Sequence, residues 1–242
     1  ELVTSSGTLS LSLSSGGTVV FGPFVGTNTT GVYTILVGQN TSSLNATALN
    51  LISGTILDGS ANAVSLAIPS TNISPMRNIQ VDTISATFLS NALAANNSSI
   101  DITLSEGVYS TNLGTGALDI SDFILDFTKN GGSASNVVIS GLTNTSGNPL
   151  IGGESTIRLL LTITGIVSGT ETIKINPVLN SIFDQAGNIS LISDTTGPIL
   201  LFDNLGPSVS NVSSITTNGA YKIGSVISIN ITFSEIVLVT GT

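Results

Sequence analysis

The sequence predicts an all-β protein made of two antiparallel β-sandwiches in tandem, and three observations carry the prediction. Apolar residues alternate with polar ones at period two, clusters of Gly, Asn, Asp and Ser punctuate the runs, and one divergent unit recurs about twice along the 242 residues. No long stretch carries a helical period. Alternation marks strands with one buried face, and regular turn clusters between short strands mark a sandwich.

The strands follow from the alternation. Leu9, Leu11 and Leu13 alternate with serines, and Ile100, Ile102 and Leu104 with Asp101 and Thr103. Ile157, Leu159, Leu161 and Ile163 form a third run, and Ile227, Ile229, Ile231 and Phe233 a fourth. Each predicts a strand with one face in a core. Between such runs lie "SSGG", "GTNTTG", "DGSANA", "KNGGSAS", "NTSGNPLIGG" and "DQAGN", whose residues supply positive φ and side-chain-to-backbone bonds in tight turns.

The repeat shows in three alignments. "IDITLSEGV" (100–108) matches "INITFSEIV" (229–237), which places Glu106 on Glu235. "ILDGSANAVSL" (56–66) matches "IFDQAGNISLI" (182–192), placing Asp58 on Asp184, and "VDTISATFLSN" matches "FDNLGPSVSNV", placing Asp82 on Asp203. The offsets are 129, 126 and 121 residues, so the unit is one module long.

The phase of the repeat sets the expected organisation. Glu1 of "ELVTSSGTLSL" falls at the position of Glu106 and Glu235. Residues 1–83 are therefore expected to form a sandwich lacking its first strands, 84–205 a whole sandwich, and 206–242 the leading strands of another. A deficient sandwich exposes apolar surface and unpaired backbone groups. The surplus strand of one copy, with Ile227, Ile229, Ile231 and Phe233, is expected to complete the deficient module of the next. The partner is then the chain itself, head to tail, or an adjacent repeat of one longer polypeptide.

Composition narrows the function classes. Fourteen acidic against five basic residues give a net charge of −9, which repels nucleic acid. No apolar run approaches the roughly 18–20 residues of a membrane helix. Only 8% of residues are charged, against about 25% in typical soluble domains. A surface of Ser, Thr, Asn and Gly suggests an extracellular or cell-surface protein. Ten Asn-x-Ser/Thr sequons, at Asn28, Asn40, Asn45, Asn72, Asn96, Asn97, Asn144, Asn188, Asn211 and Asn230, are candidate glycosylation sites. A chain this rich in Asn, Ser and Thr also makes several by chance.

With no His and no Cys, the Ser-His-Asp and Cys-His systems cannot be assembled, nor can imidazole or thiolate metal sites. An enzyme is not expected. Asp119, Asp122 and Asp126 offer carboxylates, but the chain has no Trp and three Tyr, so they read as turn-capping and edge residues. Oxygen ligands alone suit calcium. Glu106, Asp184, Asp58, Asp82 and Asp203 are the candidates, because each falls at a strand end or module junction; a lone Asp before a small-residue turn also fits an Asx-turn.

The segments "YKIGSVISINITFSEIVLVTG" (221–241), "NGGSASNVVISGLTNTSGNPLIGGESTIRLLLTITGIVSGTETIKINP" (130–177) and "FDQAGNIS" (183–190) resemble the bacterial Ig-like and cadherin-like repeats of large surface adhesins and extracellular matrix proteins. The resemblance implies Ig-like sandwiches serving as spacers, stalks or surface fibres, sometimes with calcium between modules. The cadherin Asp-x-Asp and Asp-x-Asn-Asp-Asn motifs are missing from the sequence. The function expected is a structural repeat of an extracellular filament, stalk or surface layer, joined by β-strand complementation. The alternative is an adhesin module that binds a glycan or host surface through its loops.

Overall fold

A computed structural model describes residues 1–241. Its strands, in order, are β1 (Val3–Ser5), β2 (Thr8–Leu13), β3 (Thr18–Phe21), β4 (Phe24–Gly26), β5 (Ala46–Ser53), β6 (Ile56–Asp58), β7 (Phe88–Leu93), β8 (Ser99–Val108), β9 (Phe123–Thr128), β10 (Asn136–Thr143), β11 (Glu154–Thr164), β12 (Thr172–Pro177), β13 (Ile199–Leu200), β14 (Val209–Ser214) and β15 (Ile229–Phe233). A one-turn 3-10 helix, Ile120–Asp122, is the helical element among the described residues. None of the helical structure described is long and apolar enough to cross a membrane. All the strand pairs are antiparallel.

The second module is a β-sandwich. One sheet has the order β10-β11-β8-β7 and the other β13-β12-β9. The inward positions of the alternating strands meet between them: Ile100, Ile102 and Leu104 of β8, Ile157 and Leu159 of β11, and Ile173 and Ile175 of β12 belong to one core cluster running from Ala86 to Leu201. Each such side chain contributes roughly 1.5–3 kcal/mol on full burial. On the outer face, Arg158 and Asp101, opposite each other in the ladder, form a two-pronged ion pair at 2.6 and 2.7 Å.

The first module keeps the same plan in reduced form. Thr4 pairs with Leu57 as Tyr109 pairs with Phe183. The small bridge Leu57↔Ala63 recurs as Phe183↔Ile189. Leu13↔Ala46 in the β2–β5 pair matches Thr128↔Thr172 in the β9–β12 pair. What differs is the partner of the third strand. In the second module β10 crosses to pair with β11, whereas β3 stays on β2 in a three-stranded sheet, β3-β2-β5. The segment that corresponds to β11, residues 28–38, forms no strand among the described residues. The neighbour that β11 has in the second module is β8, and no counterpart of the β7–β8 hairpin lies in the first module's described residues. Its core cluster is accordingly small: Leu13, Val19, Leu44 and Val81.

A counterpart of the β7–β8 hairpin follows the second module. β14 and β15 pair with Asn211↔Thr232 and Val212↔Ile231, with a bulge between Val209 and Asn211. β7 and β8 pair with Ser90↔Thr103 and Asn91↔Ile102, with a bulge between Phe88 and Ser90. The two hairpins share register and irregularity. Their surroundings are opposite: Ile100, Ile102 and Leu104 are 0, 0 and 2% exposed, whereas Ile229, Ile231 and Phe233 are 64, 52 and 39% exposed.

Two expectations need correction. The run 227–233 has no buried face, because no second sheet covers it; every residue of β15 is exposed. Ile227 lies before β15 rather than in it, since the turn around Lys222 and Ser225 and the link from Ser228 N–H to Thr216 Oγ1 occupy that stretch. Of the expected segment 206–242, Thr242 lies outside the described residues.

Candidate metal centre at the module boundary

Three of the five carboxylates proposed from sequence come together. Asp82, in the linker, Glu106, near the end of β8, and Asp184, in the turn after Phe183, offer oxygens that all lie within 4.8 Å of one another. Asp58 and Asp203 are not in that group.

The local sequence explains how each carboxylate is held. Asp184 opens the turn "DQAGN", and its Oδ1 accepts the Asn188 N–H at 2.8 Å while Oδ2 accepts Asn188 Nδ2 at 2.7 Å. Gly187, at φ 88°, supplies the positive φ of that turn. Asn188 Nδ2 also donates to the Asp82 carbonyl at 3.2 Å, so this side chain clips the linker to the turn. Asp82 Oδ1 in turn caps the Ile84 N–H at 2.9 Å. Asp184 is fully buried. Burial first, and then the charges of Asp184 and Asp82, push the Glu106 carboxyl above its ordinary range.

Chemically, this is an oxygen-only donor set at a boundary between modules. It matches the class of ligand that calcium takes. Without a cation it is three like charges in partial burial, which disfavours the ionised form of Glu106.

The other sequence candidates repeat parts of this arrangement. Asp58 accepts from the Ser60 and Asn62 N–H groups and from Asn62 Nδ2, each at 2.8 Å, and the two bonds from Asn62 are those that Asn188 makes to Asp184. The Asn62 side chain, then its backbone, holds the Asp58 carboxyl below its ordinary range, and the Glu1 side chain lies beside it. Asp203 caps the Leu205 N–H at 2.9 Å as Asp82 caps Ile84. Each of the four aspartates therefore caps backbone N–H groups, and two of them, Asp82 and Asp184, also belong to the carboxylate cluster. Asn188, a sequon in the sequence, is the clip, and the spacing Asp-x-x-x-Asn in both units is its signal.

Glu171 carries no comparable signal in the sequence. It is fully buried and accepts from Ala134 N–H at 2.8 Å, from Ser168 N–H at 3.0 Å and from Thr170 N–H at 3.2 Å. Burial pushes its carboxyl up, but the backbone donors of Ala134, Glu171, Ser168 and Thr170 outweigh burial and hold it at about 2. Gly132 allows the approach, since a Cβ there would sit 2.2 Å from the carboxyl carbon.

Asp119 and Asp122 form a capping box on the 3-10 helix, and Asp126 accepts from Asn176 Nδ2 at 2.8 Å. Among the sequons, Asn28, Asn96, Asn211 and Asn230 are exposed, and Asn40, Asn45, Asn72, Asn144 and Asn188 half-buried. Asn97 is fully buried. Its Nδ2 donates to the Phe202 carbonyl at 2.8 Å and its Oδ1 accepts the Phe202 N–H at 2.9 Å, so the nitrogen that would carry a sugar closes the end of the sandwich instead.

No family model, curated protein or solved structure matches the chain.

Proposed function

We propose that this chain is a structural repeat of an extracellular filament, stalk or surface layer, in which Ig-like modules join head to tail and each incomplete sandwich is completed by main-chain pairing with its neighbour. One observation carries the reading. The β14–β15 hairpin has the register and bulge of β7–β8 but an uncovered apolar face, while among the described residues no such hairpin pairs with the first module. Covering Ile229, Ile231 and Phe233 would stabilise the joint by roughly 1.5–3 kcal/mol for each side chain fully buried. The sparse charge, the sequons and the lack of His and Cys support an extracellular, mechanical role rather than a catalytic one. The carboxylates at the boundary suit a calcium ion that stiffens the joint between modules.

The test is the size distribution of the whole chain, by light scattering and electron microscopy, beside Ile231→Lys. Ile231 is exposed in the lone chain, so the substitution leaves the monomer folded. Linear oligomers for the wild type and monomers for the variant are the expected outcome. Monomers for both would overturn strand complementation between copies.

A further inference from the structure

We propose that residues Thr30–Tyr33 of the first module, which belong to no strand in the single chain, are the segment that receives β15 of a second copy, in the register Thr30↔Thr232, Gly31↔Ile231, Val32↔Asn230 and Tyr33↔Ile229. This rests on the assembly reading above and specifies its contact.

The register is taken from the second module. There β11 pairs with β8 as Thr156↔Thr103, Ile157↔Ile102, Arg158↔Asp101 and Leu159↔Ile100. The repeat offsets of 126 residues for the acceptor side and 129 for the donor side carry these pairs onto the four named. The side-chain directions agree. Tyr33, the counterpart of Leu159, packs against the small first core, and Gly31 is so close to Val19 and Phe21 that a Cβ would clash with both. Val32 between them points outward and is 84% exposed, as Arg158 lies on the outer face of its own sheet.

Beside the residues that lead into this segment, Gly26, Thr27, Asn28 and Thr29, lies the space for the incoming side chains. An open groove of about 250 Å³ is lined by Val3, Leu9, Leu49, Ile56 and Val64. Val3, Leu49 and Ile56 correspond by the repeat to Val108, Ile175 and Ile182, which share one core with Ile102 and Leu104. The apolar residues of β15 are the counterparts of those two. The hairpin therefore brings the chemistry that the second module shows filling the same place.

The chain's own β15 cannot reach that place, so a β15 seated there comes from a second copy. The base of the hairpin must sit at the Glu1 and Asp58 end of the first module, as the base of β7–β8 sits beside Glu106. Only residues 202–208 join the buried Leu201 to β14, a reach of about 28 Å when fully extended. The ten residues of β8 alone span about 30 Å along the second module, and the first module lies beyond it.

Because the chain has no cysteine, the register can be read by disulfide trapping in the full-length chain. Val32→Cys with Asn230→Cys forms the in-register, outward-facing pair, and Val32→Cys with Thr232→Cys is the off-register control. Cross-strand partners bring Cβ atoms to about 4.5–5.5 Å, against about 7–8 Å for the diagonal, and disulfides need the shorter spacing. The expected result is a ladder of covalent multimers on non-reducing gels for the first pair, at least tenfold stronger than for the control. Wild-type oligomers without that ladder, or with equal ladders for both pairs, would overturn this contact and leave the assembly reading standing. Monomers with an intrachain disulfide would overturn the second copy as donor. Wild-type monomers with no cross-link in either variant would overturn both readings.

Discussion

Ala61 and Gly187 occupy the same position of the same turn, both with positive φ, 64° and 88°. Each follows its aspartate by three residues, and each donates its N–H to that aspartate's carbonyl. An L-residue in the left-handed region costs about 1–2 kcal/mol, so the first module carries a strain that the second avoids. Ala61→Gly removes it, less the roughly 0.5–1 kcal/mol that glycine loses in chain entropy. The expected gain is about 0.5–1 kcal/mol, seen as a rise of a few degrees in the melting midpoint of the first module. The reverse change, Gly187→Ala, should cost more than this, because its Cβ would also lie 2.4 Å from the Asn112 carbonyl oxygen. Unchanged melting for both would refute the strain.

Glu171 gives the fold a pH dependence whose sign is fixed. Its folded-state value of about 2 lies below the ordinary 4.5. Its contribution is therefore complete above about pH 4.5 and is lost as pH falls from there towards 2. Glu171→Gln replaces charge-assisted bonds with neutral ones and should destabilise the second module by about 1.5–3 kcal/mol at pH 7. The gap between wild type and variant should close near pH 2. Urea unfolding at both pH values checks this, and a gap that persists in acid would assign the loss to packing.

The sequence made the strands β2, β8 and β11 legible because each has one buried face and the period of the side chains follows. It also revealed the Asp58–Asp184 equivalence, because a turn that needs an Asx bond leaves the same residue types in both units. The strand β14 lacks the alternation that marks the others, although the alignment of 81–91 with 202–212 sets it on β7. "FLSNAL" and "VSNVSS" share a ladder register and a bulge, yet backbone pairing constrains side chains weakly at an outer strand. Of the cation candidates, Asp82, Glu106 and Asp184 converge only through the linker's path, which Asn188 fixes across 106 residues of sequence. Glu171 stayed hidden because its partners are backbone N–H groups, which every sequence offers.

Asn97 separates burial from motif. Both polar atoms of its amide are spent on Phe202, and its φ of 57° suits Asn. Asn97→Ala should cost about 1–3 kcal/mol in lost buried bonds and a further 1–2 kcal/mol in backbone strain, while Asn97→Gly should show the first loss without the second. In a glycosylating host, peptide mapping by mass spectrometry should find Asn97 unmodified in the folded chain, with exposed sequons such as Asn28 as the sites that accept sugar. A folded, secreted chain with a glycan on Asn97 would contradict the closed end of the sandwich.

Glu106 sits where burial and two neighbouring carboxylates raise its proton affinity. For a carboxyl raised in the folded state the sign is opposite to that of Glu171. There is no penalty below the ordinary value of 4.5, and stability is lost as pH rises through the raised one. In chelator at pH 7, Glu106→Gln should therefore melt at a higher temperature than wild type, and the advantage should vanish at pH 4. Calcium should reverse the order at neutral pH, because an ion held by the triad would stabilise the fold by about 1.4 kcal/mol at tenfold its dissociation constant, and the variant would lack one of the three carboxylates. Thermal melts in chelator and in millimolar calcium measure both effects. A wild type whose melting ignores calcium while the chelator comparison behaves as stated would mean that the three carboxylates act through repulsion alone.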